Sequence, residues 1–278
     1  MASRKNPFLS SFYATFVKEL KEASMGSLNY LLIVVLSNVA MALSTFIALF
    51  YVGVATNWRV SVPSPLYQIV GLLPLAYSSG ILFNLSEAFI GERVNHTLEL
   101  ILSSPCSRAG FVLGKAVASV LLETVRAMMA MAIAAAILLL TGLLPPLSLN
   151  VNVPSLILSI VLSVLSLYGV GLILAAFGLA RREFAYVHSI INTGIFFLSG
   201  YMYPVDALPK LIQEILYIFP FAHAMESIRD SIILGATPIQ LLPHYTVMVV
   251  YITSIPLGLI IFSYIERSAK NSGKIYEV

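Results

Sequence analysis

Charged residues are scarce in this sequence, and their scarcity excludes a soluble globular protein. Of the 278 residues only 10% are charged, 59% are apolar, and the mean hydropathy is +0.91. Soluble domains contain about 25% charged residues, so this chain has too little charge to cover a surface exposed to water. The composition also excludes a disordered chain, a collagen-like fibre and a basic arm that binds nucleic acid.

Cysteine is almost absent as well. Cys106 is the single cysteine of the sequence, so no internal disulfide can form, and it belongs to no Cys/His cluster with zinc-ligand spacing. The net charge of +3 is too small to indicate a polyanionic partner. We therefore expect no metal site and no nucleic-acid partner, and the positions of the few charges become the main source of information.

Long stretches without any charged residue predict the membrane spans. These stretches cover residues 23–58, 60–86, 127–180, 184–205 and 231–265. Each can cross a bilayer, because a transmembrane helix needs about 20 apolar residues. The stretch 127–180 must hold two spans, because turn residues around Pro145 and Pro146 interrupt it. The sequence thus predicts an all-α membrane protein with six spans, at 30–55, 67–88, 116–141, 155–180, 184–203 and 243–265.

The basic residues predict the orientation of these spans. With a cytoplasmic N-terminus, twelve Lys and Arg residues fall on the inner side and three, Arg59, Lys210 and Arg229, on the outer side. Cytoplasmic loops of membrane proteins carry an excess of Lys and Arg, so both termini are expected in the cytoplasm. We expect no cleavable signal peptide, because the first apolar stretch starts too late.

Two segments outside the spans are also predicted to be helical. In residues 6–26, Asn6 and Pro7 form an N-cap and first-turn pair, and apolar residues recur at helical spacing opposite charges. This pattern predicts a helix in the inner membrane interface, with a soluble helix packed on another domain as the alternative. The outer segment 204–235 is divided by prolines into two short helices, which predicts a re-entrant hairpin that dips into the outer half of the membrane.

The loop between the second and third spans, residues 92–105, contains the most informative pattern. Asn95 or Thr97 can cap a short helix, and Pro105 ends it. The apolar side of this helix consists of Leu98, Ile101 and Leu102. A capped helix with an apolar side in the cytoplasm indicates a protein partner; the alternative is a connector folded back onto the membrane.

The residues of this loop and of the outer segment resemble the type 2 permease subunits of ATP-binding-cassette (ABC) exporters. The loop is similar to the family's pattern at Glu92-Arg93, Thr97-Leu98-Glu99, Ile101-Leu102, Pro105, Ser107-Arg108 and Gly114-Lys115. A second match comprises Leu198-Ser199-Gly200, Tyr203-Pro204, Leu208-Pro209, Phe219-Pro220, Ile228-Arg229 and Leu234-Gly235. The family commonly has Gly where this sequence has His96, which leaves open which residue starts the short helix.

The resemblance implies roles for several sets of residues. The short helix would be the coupling helix that binds a groove of an ATPase subunit, and residues 6–26 would be the elbow helix beside it. The implied coupling residues are Glu92, Arg93, Asn95, Thr97, Leu98, Glu99, Ile101 and Leu102. Spans two and five would line a path at a two-fold dimer interface, through Ser78, Ser79, Asn84, His188, Asn192 and Ser199. The alternative is that these polar groups only bond neighbouring helices. The outer gate would comprise Phe219, Pro220 and Arg229.

The sequence contains no phosphate-binding loop of its own. Gly114-Lys115 comes closest, but Ala109 and Ala116 occupy the required Gly and hydroxyl positions. We therefore expect a transport subunit rather than an enzyme, with ATP and Mg²⁺ bound by the partner. The expected assembly in the cell membrane of a prokaryote contains two ATPase subunits and a permease homodimer or heterodimer.

Two other classes of protein are alternatives to the exporter. An intramembrane enzyme would need a zinc motif such as His-Glu-x-x-His or an acidic cluster inside a span, and the sequence has neither. An ion-coupled secondary transporter would use ionisable residues inside the membrane, and Glu123 and Arg126 are the candidates. Because this pair is near the inner end of span three, a structural ion pair at the interface is the preferred interpretation.

The predicted path also indicates a class of cargo. It contains almost no formal charge, which favours an amphiphilic cargo, drug-like or lipid-like, over a small inorganic ion. Outward transport is implied by the family alone. A lipid-linked glycan exporter of the same family is the alternative.

Overall fold

The computed structural model describes residues 6–25, seven positions between 32 and 43, and residues 65–271 except 95–96, 105–106, 141–148, 181–183 and 202–204. The first predicted span, 30–55, therefore lies mostly outside the described residues. The regular secondary structure of the described residues is helical. The helices are α1 (Pro7–Met25), α2 (Pro65–Val94), α3 (Leu98–Ser103), α4 (Arg108–Leu140), α5 (Val153–Ala180), α6 (Phe184–Leu198), a 3₁₀ turn (Val205–Ala207), α7 (Lys210–Leu216), α8 (Pro220–Ile233), α9 (Leu242–Ile252) and α10 (Ser254–Asn271).

Three helical segments of the described residues are long and apolar enough to cross a membrane. They are Gly110–Leu140, Val153–Gly178 and Leu242–Ile265, and Leu66–Leu82 forms a shorter apolar segment. Helices α2 and α4 are longer than the spans predicted within them, because both continue beyond the uncharged stretch into residues such as Glu92 and Arg108. The last predicted span, 243–265, is interrupted at Thr253, because Pro256 has no N–H to bond the carbonyl of Ile252.

The start of α1 agrees with its predicted cap. The backbone N–H of Phe8 donates to Asn6 Oδ1 at 3.1 Å, and the N–H of Ser10 donates to the Asn6 carbonyl at 3.1 Å. Pro7 occupies the first helical position, where the missing N–H has no intrahelical partner to lose. The predicted Asn6–Pro7 helix start is confirmed.

The central apolar core lies where α2, α4, α5 and α8 meet. The members that are at most 2% exposed are Tyr77, Ile81, Leu82 and Leu85 of α2, Val112 of α4, Leu167, Leu172 and Ala176 of α5, and Ile228 of α8. Burial of this kind sets the positions of the two helices, α2 and α8, that carry most of the site residues described below.

Helix α1 packs directly on the backbone of α4 through two glycines. A Cβ atom added at Gly110 would lie 2.6 Å from the carbonyl oxygen of Phe8, and one at Gly114 would lie 2.6 Å from that of Phe12. Real side-chain carbons do not approach a backbone oxygen this closely, so only glycine permits the contact. The ion pair between Lys115 Nζ and Glu19 Oε1, at 3.2 Å, joins the same two helices.

Small residues also bring α5 close to its neighbours. A Cβ atom at Gly169 would meet Ser254 of α10, and one at Gly171 would lie 2.6 Å from Leu85 Cδ1 of α2. These two glycines therefore allow α5 to pack closely against α10 and α2. On another stripe of α5, the side chain of Ser159 is fully buried and its Oγ lies 3.0 Å from the Tyr245 hydroxyl of α9.

The α1–α4 contact yields a test with a matched control. Gly110→Ala should force α1 away from α4 and destabilise the protein by about 1–3 kcal/mol, the usual effect of overpacking. A Cβ atom at Gly194 of α6 would meet no atom within 4 Å, so Gly194→Ala should be neutral or slightly stabilising. Thermal unfolding of the two purified variants in the same detergent measures the difference. Equal midpoints would show that α1 does not depend on the glycine contact.

Candidate functional site

The carboxylate of Glu92 joins three helices, at a place that we call the inner junction after the side of the membrane predicted from the sequence. Lys18 Nζ of α1 lies 2.5 Å from Glu92 Oε1, and the Thr97 hydroxyl, at the start of α3, donates to Glu92 Oε2. The backbone N–H of Thr97 also donates to the Glu92 carbonyl at 2.9 Å. A single side chain at the end of α2 therefore fixes both α1 and the beginning of α3.

The charge state of Glu92 follows from these contacts. Burial by itself would raise the pKa of Glu92, whose residue is only 4% exposed. The hydrogen bonds from Lys18 and Thr97, together with the positive charges of Lys18 and Lys115, outweigh burial and hold the pKa of Glu92 below its ordinary value. Glu92 is therefore a carboxylate at neutral pH.

Helix α3 presents one apolar side chain outward and another inward. Leu100 is 68% exposed, whereas Ile101 packs against the central core. Between α1 and α3 lies a groove of about 350 Å³ whose lining includes Lys18, Thr97 and Phe111. The arrangement leaves Leu100 available to a partner while Ile101 holds α3 against the rest of the protein.

The predicted coupling residues occupy different environments. Glu92 was expected to contact the ATPase, but its buried side chain faces α1 and α3 because Lys18 and Thr97 bind it there. Thr97 occupies the N-cap position of α3, yet its hydroxyl bonds Glu92 instead of capping the helix. The side chains of Arg93, Asn95, Leu98, Glu99 and Leu102 lie outside the described part of the structure.

A second polar site is a cavity of about 220 Å³ between α1, α2 and α4, which we call the inner polar cavity after its predicted side of the membrane. Its polar lining comprises Glu19, Glu22, Asn84, Ser119, Glu123 and Arg126. Arg126 Nη1 lies 2.8 Å from Glu123 Oε1, so these two residues form an ion pair. The structure thus brings together Asn84, predicted for the path, and the Glu123–Arg126 pair, which was predicted separately.

The other predicted path residues differ in their contacts. Ser79 and Asn84 donate to carbonyl groups of their own helix, at Leu75 and Gly80, both at 2.7 Å. The hydroxyl groups of Ser78 and Ser199 are buried without a hydrogen-bond partner among the described residues. The side chains of His188 and Asn192 lie outside the described residues.

Arg229 is a buried residue that connects α8 to α2. Its guanidinium Cζ lies 3.4 Å from the ring centre of Tyr67 in α2, and Nη1 donates to the Gly200 carbonyl at 3.1 Å. Only 2% of Arg229 is exposed, and its role at an outer gate stays a prediction. Phe219 is 40% exposed and Pro220 is buried, at the turn where α8 begins.

Sequence reasoning missed a polar cluster beside this turn, formed by Tyr217, His223, Glu226 and His244. The Tyr217 hydroxyl donates to Glu226 Oε1 at 2.9 Å, and His223 Nε2 donates to the Tyr217 carbonyl at 2.8 Å. Burial is the main reason that the pKa of Glu226 rises to about 7. The sequence places His223 three residues after Pro220, in the first turn of α8. No local signal indicates that His244, 21 residues later, contacts His223.

In the described residues the regular structure is helical and three segments are long and apolar enough to cross a membrane, which is the architecture of a helical membrane protein. Residues 59–262 match the model of the ABC-2 family transporter proteins, and the chain belongs to this family. Members of the family are the membrane component of an ABC transporter, which in general works with an ATPase subunit.

Curated relatives share a shorter region with the chain. It is 31% identical over 88 residues to nodulation protein J of Rhizobium leguminosarum bv. viciae, which is 32% of this chain and 34% of the relative. Nodulation protein J of R. leguminosarum bv. trifolii is 30% identical over 93 residues, covering 34% and 35%. That of Rhizobium meliloti is 29% identical over 92 residues, covering 33% and 35%. The chain thus spans about a third of the length of these relatives.

The Lys18–Glu92 contact should contribute measurably to stability. Lys18→Met leaves a buried carboxylate without its cation, but the Lys18 side chain is 42% exposed, so water screens the pair. We expect a loss of about 1 kcal/mol, measured by thermal unfolding near neutral pH. Glu22→Gln is the matched control, because Glu22 lies 3.8 Å from the same Lys18 but is 62% exposed. It should change stability by less than about 0.5 kcal/mol.

The pH dependence of the Lys18 effect has a definite sign. Because the pKa of Glu92 is lowered by folding, its stabilisation is complete above the ordinary value of 4.5 and is lost as the pH falls through the lowered value. The difference between wild type and Lys18→Met should shrink over that acidic range. A difference that grows on acidification would contradict the assignment.

Proposed function

We propose that this chain is the permease subunit of an ABC exporter that moves an amphiphilic, drug-like or lipid-like cargo outward. ATP hydrolysis would take place on a separate ATPase subunit. The observation that carries this proposal is the inner junction, where a short helix is tied to α1 and α2 while Leu100 remains exposed. A helix that is fixed on one side and apolar on the other is suited to receive a push from a partner.

The proposed topology keeps the frame predicted from the sequence. It has six spans, cytoplasmic termini, an elbow helix in residues 6–26 and a re-entrant hairpin in residues 204–235, all within one transmembrane domain of residues 1–278. The exposure of Leu9 and Tyr13, 61% and 68%, supports the elbow helix, because apolar residues on an outer face can lie in the membrane interface. The proposed location is the cell membrane of a prokaryote.

The proposed assembly contains two ATPase subunits and two permeases, identical or different. ATP and Mg²⁺ would be held by the ATPase subunits. When ATP closes them, the displacement would reach α3 and pass through Glu92 and Thr97 to α1 and α2. Such a cycle needs ATP to bind one conformation of the assembly more tightly than the other.

In this cycle the path would run along α2 and α6. Asn84 in the inner polar cavity would be reached first, and the hairpin turn at Phe219 and Pro220 would yield last to release the cargo. The Glu123–Arg126 pair would hold α4 beside the cavity mouth. Arg126 neutralises one of the cavity's carboxylates, which supports a structural role over ion coupling.

A lipid-linked glycan is the second candidate cargo. The matched relatives are named for nodulation and not for drug resistance, which is the observation that keeps this candidate in view. Both cargoes combine an apolar part with a polar part, so both suit a path of serine, asparagine and apolar side chains.

The ATPase contact can be tested at Leu100. Leu100→Asp places a charge on the exposed side of α3, so an affinity pull-down from native membranes should recover at least about tenfold less ATPase subunit, as expected when a central contact is lost. Ile239→Asp is the matched control, because Ile239 is 82% exposed in the turn between α8 and α9, on the proposed outer side. This control should recover the ATPase in full.

Two results would contradict the coupling proposal. One is full recovery of the ATPase with Leu100→Asp, and the other is recovery of the wild-type chain without any ATPase subunit. Thermal unfolding of both variants shows whether either substitution damages the fold, because a lost partner counts only for a folded chain.

The cargo can be tested by deleting the chain from its native cell and restoring it. An amphiphilic-drug exporter predicts increased sensitivity to several unrelated amphiphilic compounds, reversed by wild type, with an altered compound preference for Asn192→Leu. A glycan exporter predicts unchanged sensitivity and a lipid-linked glycan that accumulates inside the cell, measured by mass spectrometry of extracted lipids. If the deletion causes neither increased drug sensitivity nor glycan accumulation, both candidate cargoes are contradicted.

A further inference from the structure

The two histidines of the polar cluster connect α8 to α9. His223 Nδ1 lies 3.0 Å from His244 Nδ1, and the ring centres are 5.3 Å apart. Both residues are in the first turns of their helices, and His223 also bonds the carbonyl of Tyr217 in the turn between α7 and α8. Tyr251 of α9 bonds the next carbonyl, that of Ile218, at 2.7 Å. The turn that carries Phe219 and Pro220 is therefore held against α9 from two sides.

The hydrogen-bond partners determine where the protons lie. A carbonyl oxygen only accepts, so His223 Nε2 must carry a proton, and in the neutral ring His223 Nδ1 is then an acceptor. The contact of 3.0 Å therefore requires His244 to carry its proton on Nδ1 and to donate it. One proton fits between the two Nδ1 atoms and two do not.

We propose that the His223–His244 contact is a proton-sensitive latch that holds the α7–α8 turn against α9 near neutral pH and opens in acid. A first added proton can be accommodated, because His223 then donates from Nδ1 and His244 accepts after its own proton moves to Nε2. A second added proton leaves two N–H groups and two positive charges facing each other, so the rings must separate. This latch depends on contacts between described residues and not on the proposed transport role.

The buried surroundings of the pair favour opening at acidic rather than neutral pH. Burial lowers the pKa of His223, so the neutral, closed pair is preferred over most of the physiological range. The stabilisation that neutral His223 contributes is complete above the ordinary histidine pKa of 6.5. It is lost as the pH falls through the lowered pKa of His223. Glu226 Oε2 lies 3.6 Å from His244 Nδ1, which is too far for a hydrogen bond, and because the pKa of Glu226 is about 7 this carboxyl carries little charge in acid.

Other titratable or charged groups face the pair from the elements packed around it. They are Asp206 of the 3₁₀ turn, Tyr217 and Glu226, and the charges of Arg229 and Asp230 of α8 act in turn on Glu226. Helix α5, which packs against both α8 and α9, contains no charged residue. Glu226 changes stability with pH in the opposite sense to the histidines. Its pKa is raised to about 7, so its buried carboxylate destabilises the fold as the pH rises through that value.

The latch can be tested by hydrogen–deuterium exchange of the full chain in detergent at about pH 7.5 and about pH 4, because burial lowers the pKa of His223 and opening needs a second proton on the pair. Each exchange rate is divided by the intrinsic rate of an unstructured peptide at the same pH. In wild type, peptides covering 217–224 and 242–248 should exchange about tenfold or more faster in acid, as expected for a local opening. Peptides of the inner junction should change much less, because Lys18 and Thr97 hold the pKa of Glu92 below its ordinary value.

Two substitutions at His244 distinguish the latch from general acid damage. His244→Asn keeps an amide near the Nδ1 position that donates or accepts without titrating, so the turn should stay protected at both pH values. His244→Ala removes the partner, so the turn should exchange fast at both. His96→Gln, a histidine outside the cluster, should behave as wild type.

Three outcomes would overturn the latch. They are equal wild-type protection at the two pH values, acid opening of His244→Asn as large as that of wild type, and loss of acid opening in Glu226→Gln, which would assign the switch to the carboxylate. A metal chelator provides a further check, because no group of three metal-ligating side chains occurs among the described residues. Chelation should leave both rates unchanged, and a chelator-dependent contact would also overturn the proposal.

Discussion

Close approach between helix backbones is the constraint on which this structure depends. In a membrane, burying apolar surface between helices gains little, because lipid tails are as apolar as leucine side chains, so packing must come from close contact and hydrogen bonds. The chain meets this requirement with small residues. Gly110 and Gly114 place α1 on α4, and Gly169 and Gly258 place α5 on α10 with spacings that no larger residue would permit. The buried serines of α5 combine small size with hydrogen bonds, as Ser159 does with Tyr245.

Helix α2 is held at both ends by buried charges. At one end Glu92 binds Lys18 and Thr97, and at the other the ring of Tyr67 lies against the guanidinium of Arg229. A buried charge is costly unless other groups stabilise it, so each contact restricts α2 to one position relative to its neighbours. The cation–π contact and the Gly200 carbonyl serve this purpose for Arg229. In this way α2 connects the hairpin of α7 and α8 to the junction with α1 and α3.

The sequence predicted the elements better than their partners. The uncharged stretches located α4 and α5, Asn6 and Pro7 located the start of α1, and the prolines at 209 and 220 located α7 and α8, because all of these signals are local. Glu92 and Arg229 were predicted as contact and gate residues, yet their partners are 74 residues away at Lys18 and in a different helix at Tyr67. One sequence does not reveal which distant charge or ring will meet a buried ion. The same limit hid the His223–His244 contact, since each histidine taken alone fits a surface position.

Pro74 divides α2 into two parts that can move separately. Pro74 lies inside α2 and has no N–H to bond the carbonyl of Val70, so the helix is weakest between the part that contains Tyr67 and the part that contains Asn84 and Glu92. The short helix α3 has only six residues and would not be stable alone, so any force on it must pass to Glu92 and Ile101. In the proposed cycle that force would move the inner part of α2 with α1. The outer part would remain with Arg229, because bending at Pro74 breaks no hydrogen bond at that position. Alternating access requires such a division, since the inner and outer mouths must open at different times.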